Sequence, residues 1–115
     1  QRQMCIRDRS SKTLKKALAY IDEHYTSENL SLGTVACEVQ VGANYLSSVF
    51  SQNMQKTFTE YISEKRMEKA KKLLKSTELP TSEIAAQVGY KDPHYFSFVF
   101  KKTQGCSPRE YRSSI

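Results

Sequence analysis

The chain of 115 residues has the length of one ordinary domain and can bury a single core, so we expect one compact body that can have two lobes. Hydrophobic residues make up 38% and charged residues 26%, and four glycines and three prolines leave little room for long loops, so we expect a soluble helical domain. Three cysteines without metal-ligand spacing argue against a disulfide framework and a metal site. Apolar runs too short for a bilayer and no recognisable signal peptide predict a cytoplasmic protein without a membrane partner.

The net charge of +6 is compatible with a polyanionic partner, although an excess of basic residues can equally increase solubility. The charge is uneven along the chain. Residues 62–77 carry six basic side chains against two acidic ones, whereas residues 31–61 carry one against two. The back of a lysine-rich helix is usually solvated, so we expect solvent around Lys69, Lys71, Lys72 and Lys75.

Residues 1–11 have no apolar period, and we interpret them as a linker remnant or a non-native tail. The alternative is a basic arm that enters a minor groove, as in homeodomains, and it rests on Arg2, Arg7 and Arg9.

Apolar residues at three- and four-residue steps predict a first helix from Lys12 to about Tyr25. Residues 29–31 then offer a cap, and a second helix begins near Leu32. Gly42, a residue type that tolerates positive φ, marks the turn into a third helix over residues 44–53.

A longer fourth helix is predicted over residues 59–76. We expect Ser82 to cap a short fifth helix and Gly89 to begin the turn after it. Asp92-Pro93 is a start signal for a sixth helix, and Ser107-Pro108 repeats that signal for a short last one.

An internal repeat is the most informative feature of the chain. An offset of 50 aligns two sets of side chains, namely Tyr45, Ser47, Val49, Phe50, Thr57, Glu60 and Tyr61 with Tyr95, Ser97, Val99, Phe100, Ser107, Glu110 and Tyr111. Each copy reads as a short helix with a small residue, Ala36 or Ala85, then a tight turn and a longer helix. That order is typical of helix-turn-helix DNA readers.

The fourth helix of about 18 residues is roughly 27 Å long at 1.5 Å per residue. With its flanking turns it could hold two recognition helices about one duplex turn, on the order of 34 Å, apart. One chain could therefore read two consecutive major grooves.

The segment 83–112, E-I-A-A-Q-V-G-Y-K-D-P-H-Y-F-S-F-V-F-K-K-T-Q-G-C-S-P-R-E-Y-R, closely resembles the signature of the AraC/XylS family of transcription regulators. The likeness extends over roughly residues 13–113. It implies an all-α domain of about seven helices, in which two helix-turn-helix subdomains are joined by a long linker helix. The D-P-H-Y-F segment is most similar to the corresponding sequence in two-component response regulators of that family.

The predicted organisation is a tail at 1–11 and an AraC-type DNA-binding domain at 12–115. Within it lie a first helix-turn-helix unit at about 30–57, the linker helix at about 58–77 and a second unit at about 81–113. The resemblance implies an upstream effector or receiver domain in the intact protein.

The resemblance places base contacts on the outward faces of the third and sixth helices. The candidate base-reading residues are Asn44, Tyr45, Ser47, Ser48, Ser51, Gln52, His94, Tyr95, Ser97 and Phe98. Phe98 departs from the family, in which many members carry a basic residue there. Contact with a thymine methyl or packing against another domain would suit it.

We expect phosphate contacts from two helix N-termini and from nearby basic residues. The candidates are Lys56, Thr57, Lys101, Lys102, Ser107 and Arg112. Arg66 lies on the inner stripe of the fourth helix, where it could pair with a helix C-terminus or with Glu60 instead of DNA. Cys37 is expected to be a small core residue.

The sequence therefore predicts sequence-specific binding of double-stranded promoter DNA, with RNA polymerase as a further partner and no cofactor. We expect Asn44, Ser47 and Ser48 to discriminate sequence while the second unit contributes more to anchoring. The alternative is a helical protein-interaction module that presents Tyr45, Tyr95 and Phe98. An enzyme is disfavoured, because no triad, metal or phosphate-loop spacing is present.

Overall fold

The computed structural model describes the backbone of residues 2–114 and the side chains of residues 12–114. Within that backbone seven α-helices form, which confirms the predicted all-α fold. They are α1 Arg2–His24, α2 Leu32–Glu38, α3 Ala43–Met54, α4 Phe58–Ser76, α5 Thr81–Val88, α6 Pro93–Gln104 and α7 Pro108–Ser113. None of these helices, as far as they are described, is long and apolar enough to cross a membrane.

Helix α1 begins at Arg2, earlier than the predicted start at Lys12. The segment before Lys12 contains neither Gly nor Pro, so helical propensity continues there without an apolar stripe. The side chains of Arg7 and Arg9, like that of Arg2, lie outside the described residues. The tail and the minor-groove arm remain predictions.

The chain divides into two compact units, and the division falls within α4. The first unit comprises the chain up to His24 together with Leu30–Ile62. Its core is formed by apolar side chains of α1, α2 and α3, with the first turn of α4. The buried residues of this unit are Ala17, Ile21, Val35, Ala36, Leu46, Val49, Phe50, Phe58 and Ile62.

The second unit comprises Tyr25–Asn29 and the chain from Ser63 onward. Its core joins α4 to α5 and α6 through Met67, Ala70, Leu74, Ile84, Ala85, Val88, Tyr90, Phe96, Val99 and Phe100. The predicted repeat extends to ring geometry. Phe50 meets Tyr61 edge-on at 5.2 Å between ring centroids, and Phe100 meets Tyr111 edge-on at 5.6 Å.

The turns that follow α2 and α5 reverse the chain with the same pattern of hydrogen bonds. The N–H of Val41 donates to the carbonyl of Ala36 over 3.0 Å, and the N–H of Tyr90 donates to the carbonyl of Ala85 over 2.9 Å. The residue before each donor has a positive φ, 61° at Gln40 and 106° at Gly89. This pattern is a Schellman motif, which satisfies the last carbonyls of a helix while reversing the chain.

Gly42 marks the turn into α3 as expected, but it does not use the positive φ that a glycine tolerates. Gly42 has φ −73° and serves as the N-cap of α3, so the left-handed residue of the first turn is Gln40. The expectation for Ser82 is wrong, because α5 begins at Thr81 after Pro80 and has no side-chain cap. The fixed φ of Pro80 and its extended ψ of 156° suit the N-cap position without a hydroxyl.

The other predicted helix starts are confirmed. The Asp92 carboxylate accepts the N–H of His94 at 2.9 Å, and Pro93 is the first residue of α6. Ser31 and Ser107 each form a capping box with the residue three positions on, at the start of α2 and α7.

Arg66 is buried at 9% exposure and holds the segment that follows α1. Its Nε donates to the Tyr25 carbonyl at 2.8 Å and its Nη2 donates to the Ser27 carbonyl at 2.9 Å. The guanidinium also lies 4.9 Å from the centroid of the Tyr90 ring. Both acceptors lie just past the end of α1 at His24, so Arg66 bonds to the segment after the helix, next to the helix C-terminus that was expected as its partner.

The expectation that Cys37 is a core residue is wrong, because its side chain is exposed. Ala86, which follows Ala85 as Cys37 follows Ala36, is exposed as well. Each follows a buried alanine, Ala36 or Ala85, and one helical step of 100° turns the next side chain away from the core.

Two glycines with positive φ provide a matched test of the second turn. A Cβ at Gly89 would lie 3.0 Å from Nε of Arg66, whereas a Cβ at Gly105, with φ 84°, would meet nothing within 4 Å. We expect Gly105→Ala to lower the free energy of unfolding by about 1 kcal/mol, the cost of a left-handed side chain. Gly89→Ala should cost about 2 kcal/mol or more, because the guanidinium must also shift. Urea unfolding measures both, and equal losses would contradict the close approach of Arg66.

Arg66→Ala should lower the free energy of unfolding by about 3 kcal/mol, because it removes two charge-assisted hydrogen bonds from a buried site. Arg66→Lys should recover little of that loss, since an ammonium cannot reproduce the planar pair of donors. Arg109→Ala is the control, because Arg109 is exposed and should change stability by less than about 0.5 kcal/mol. A lysine variant as stable as the wild type in thermal unfolding would refute this role.

Candidate nucleic-acid interface

The inner side of α3 is occupied by Leu46, Val49 and Phe50, so the opposite side faces solvent. The predicted reading residues form two rows along that side, because positions three and four apart are neighbours on a helix. Five of the six are exposed and Ser47 is half-buried. One row is Asn44, Ser47 and Ser51, and the other row is Tyr45, Ser48 and Gln52.

Helix α6 repeats this arrangement with different chemistry. Phe96, Val99 and Phe100 are buried, and the outward side again carries two rows. His94, Tyr95, Phe98 and the two lysines are exposed, whereas Ser97 is half-buried. One row is His94, Ser97 and Lys101, and the other row is Tyr95, Phe98 and Lys102.

Exposed aromatic side chains are confined to these two faces. Within residues 12–114, the large hydrophobic side chains that are exposed are Tyr45 at 40%, Tyr95 at 54% and Phe98 at 60%. The rings of Tyr95 and Phe98 lie 6.4 Å apart between centroids, and Nζ of Lys102 lies 6.0 Å from the Phe98 ring. The outward face of α6 therefore combines an apolar patch with positive charge.

The starts of α4 and α7 are closed by capping boxes. The N–H of Thr57 donates to Oε1 of Glu60 at 2.8 Å, and the N–H of Ser107 donates to Oε1 of Glu110 at 2.9 Å. The hydroxyls of Thr57 and Ser107 accept the amides of the two glutamates in return. The N–H groups expected to be free for phosphate are thus partly occupied, and at α4 the amides of residues 58 and 59 are the ones outside the box.

The box at α7 also affects ionisation. The backbone N–H of Ser107, then its hydroxyl, and to a smaller extent the charge of Lys101 hold the pKa of Glu110 below its usual value. Glu110, which is a carboxylate at neutral pH in any case, therefore keeps its negative charge at this helix start to more acidic pH.

The side chain of Arg112 donates two hydrogen bonds within its own unit. Its Nε donates to the Leu74 carbonyl at 3.0 Å and its Nη2 donates to the Thr77 carbonyl at 3.1 Å, at the end of α4. This pattern matches the one that Arg66 forms after α1. Arg112 therefore caps the end of α4, and its contact with phosphate stays a prediction.

Two exposed basic residues near the reading helix were missing from the predicted set. Lys91 lies in the turn before α6, and Arg109 lies in the first turn of α7. Their sequence signal was their position beside the start signals Asp92-Pro93 and Ser107-Pro108. Lys56, which was in the predicted set, is half-buried.

The outward face of α4 in the second unit carries a separate positive surface. It borders a concavity of about 580 Å³ lined by Tyr25, Lys65, Glu68, Lys69, Lys72 and Leu73. Lys71 lies 3.5 Å from Glu68, and Nζ of Lys75 lies 5.1 Å from the ring of Tyr111. Among the described residues, no three His, Cys, Asp or Glu side chains gather as metal ligands.

Known proteins share this architecture. Residues 35–114 match the family described as "Helix-turn-helix domain". The arabinose operon regulatory protein of Escherichia coli K12 is 34% identical over 100 residues, which are 87% of this chain and 34% of that protein. The chain thus spans about a third of this curated relative.

Two solved structures are similar over most of the chain. The C-terminal domain of AraT, a response regulator from Geobacillus stearothermophilus, has 43% identity and a TM-score of 0.88, covering 90% of this chain and 85% of that one. The C-terminal domain of the two-component response regulator yesN from Fusobacterium nucleatum has 39% identity and a TM-score of 0.85, covering 88% and 98%. The chain belongs to the AraC/XylS family of helix-turn-helix transcription regulators.

Proposed function

We propose that this chain binds double-stranded promoter DNA in a sequence-specific manner and regulates transcription, with α3 and α6 in consecutive major grooves. The observation that carries the proposal is the pair of outward faces on α3 and α6, where exposed polar and aromatic side chains stand away from a core that holds each helix in place. Family membership supports it, because the relatives include an operon regulator and response regulators.

The face of α3 is suited to base edges. Asn44 and Gln52 offer amides that can donate and accept at adenine, and Ser47 and Ser48 can pair with several bases. Because this face carries no charge, it contributes hydrogen-bond discrimination with little electrostatic attraction.

The face of α6 supplies phosphate contacts beside its reading residues. Lys101 and Lys102 are exposed in its last turn, and His94 is exposed at its start. Lysines at the edge of a reading helix lie where the phosphate rows border the major groove. Lys56 and the N-terminal amides of α4 extend the phosphate contacts of the first unit.

In the intact protein this domain is the output module of a longer regulator, with an effector or receiver domain upstream. The likeness to two response-regulator domains favours a receiver. As further parts of this proposal, the regulator contacts RNA polymerase and works in the cytoplasm, and this domain has no enzymatic activity.

A protein-interaction module is the second candidate function. It is favoured by the exposure of Tyr45, Tyr95 and Phe98, since aromatic side chains are enriched at protein interfaces. It predicts that alanine at Asn44 and Ser48 leaves target expression unchanged.

Charge provides the first test of DNA binding. Affinity for a duplex selected from a random pool should fall steeply with salt, with a slope of roughly 0.9 per phosphate neutralised. Lys101→Gln or Lys102→Gln should each weaken binding to all sequences alike and reduce the slope by about 1. Lys72→Gln is the control, because Lys72 is exposed on the outward face of α4 and should leave the slope unchanged. A salt-independent interaction, or none, would overturn the proposal.

Base reading by α3 can be tested with two asparagines of the same helix. Asn44→Ala should relax the selected sequence at one position and cost about 1–3 kcal/mol for the preferred base, because it removes an exposed amide. Asn53→Ala is the matched control, because the amide of Asn53 donates to the Val49 carbonyl at 2.8 Å and is turned back onto its own helix. Selection from a random pool measures both variants. Equal loss of preference in the two would argue against reading by this face.

A further inference from the structure

We propose that Phe98, supported by Tyr95, reads thymine methyl groups in the half-site bound by the second unit. The inference rests on the proposed function and adds to it the base and the atom group that α6 recognises. It assigns to Phe98 an apolar readout on the outward face of α6.

The first step of the argument is the exposure of the phenyl ring. Phe98 is 60% exposed on the outward side of α6, next to Tyr95 at 54% and with 6.4 Å between the two ring centroids. Apolar surface left in water is unfavourable by roughly 25 cal/mol per Å², so such a pair is most stable when a partner covers it. The partner must present an apolar group to the reading side of α6.

The second step is the charge around the ring. Nζ of Lys102 lies 6.0 Å from the centroid of Phe98, and Lys91 and Lys101 are exposed at the two ends of α6. A partner that covers Phe98 must therefore combine an apolar group with flanking negative charge. The major groove offers this combination, because phosphate rows border it and the thymine C5-methyl is an apolar group on a base edge within it.

The third step is the comparison of the two faces. Ser48 and Gln52 occupy in α3 the positions that Phe98 and Lys102 occupy in α6. The first unit can therefore discriminate by hydrogen bonds, whereas the second can discriminate by apolar contact. This revises the expectation that sequence discrimination belongs mainly to Asn44, Ser47 and Ser48.

The test replaces single thymines of the selected duplex by deoxyuridine, which lacks the methyl and keeps the hydrogen-bonding groups. At one or two thymines of the half-site bound by the second unit, wild-type affinity should fall roughly fourfold per methyl, from about 0.8 kcal/mol per buried apolar carbon. In Phe98→Ala the same replacement should change affinity less than twofold, and in Phe98→Leu most of the effect should remain. Ser48→Ala should respond to deoxyuridine there as the wild type does.

The outcomes separate the inference from the proposed function. If no duplex is selected at all, the proposed function fails. If a duplex is bound with the expected salt dependence but deoxyuridine has no effect, or an equal effect in Phe98→Ala, the thymine readout alone is overturned. Reduced promoter activity in Phe98→Ala with affinity and deoxyuridine response unchanged also overturns it, because a protein partner would then cover the ring. Thermal unfolding checks that the exposed Phe98 can be removed without loss of the fold.

Discussion

Each helix-turn-helix pair depends on one backbone position with positive φ, Gln40 in the first unit and Gly89 in the second. At that position the chain reverses while the last carbonyls of the preceding helix find donors, which allows the next helix to start at once. The buried alanines Ala36 and Ala85 accept one of these hydrogen bonds each and keep the helices close. Because the turn sets the direction of the second helix, the outward position of every candidate reading residue follows from it.

In the second unit this turn packs against the buried guanidinium of Arg66. The guanidinium of Arg66 lies 3.0 Å from the position that a Cβ of residue 89 would take, lies 4.9 Å from the centroid of the Tyr90 ring and donates to two carbonyls of the segment after α1. Gly89 is thus required twice, for its backbone conformation and for its lack of a side chain. One arginine therefore connects the fixed geometry of the turn that precedes α6 to the chain segment at residues 25–29.

Hydrophobic periodicity and the internal repeat predicted the helices well, because inward positions need large apolar side chains at fixed spacing. Errors arose where a polar residue decided the local geometry. The hydrogen bonds of the turn determine which position has a positive φ, whatever residue occupies it. Gln40 therefore adopts the left-handed conformation although Gly42 lies two residues later. The capping role of Arg112 was not predicted either, because its acceptors lie 35 to 38 residues away in sequence and become neighbours only in the folded chain. The outward faces were predictable, whereas the amides occupied by capping boxes were not.

The repeat distinguishes the residues that maintain the fold from the candidate residues for recognition. Inward positions are nearly the same in the two units, since Val49 and Phe50 recur as Val99 and Phe100, whereas the outward pair Ser48 and Gln52 becomes Phe98 and Lys102. Substitution on an exposed face costs little stability, so the second copy could acquire a different readout on an unchanged scaffold. If both faces read DNA as proposed, a single chain with two unlike faces does not need the twofold symmetry of a palindromic site. A site read in this way has a direction along the duplex, and that direction would fix the orientation of the bound regulator at a promoter.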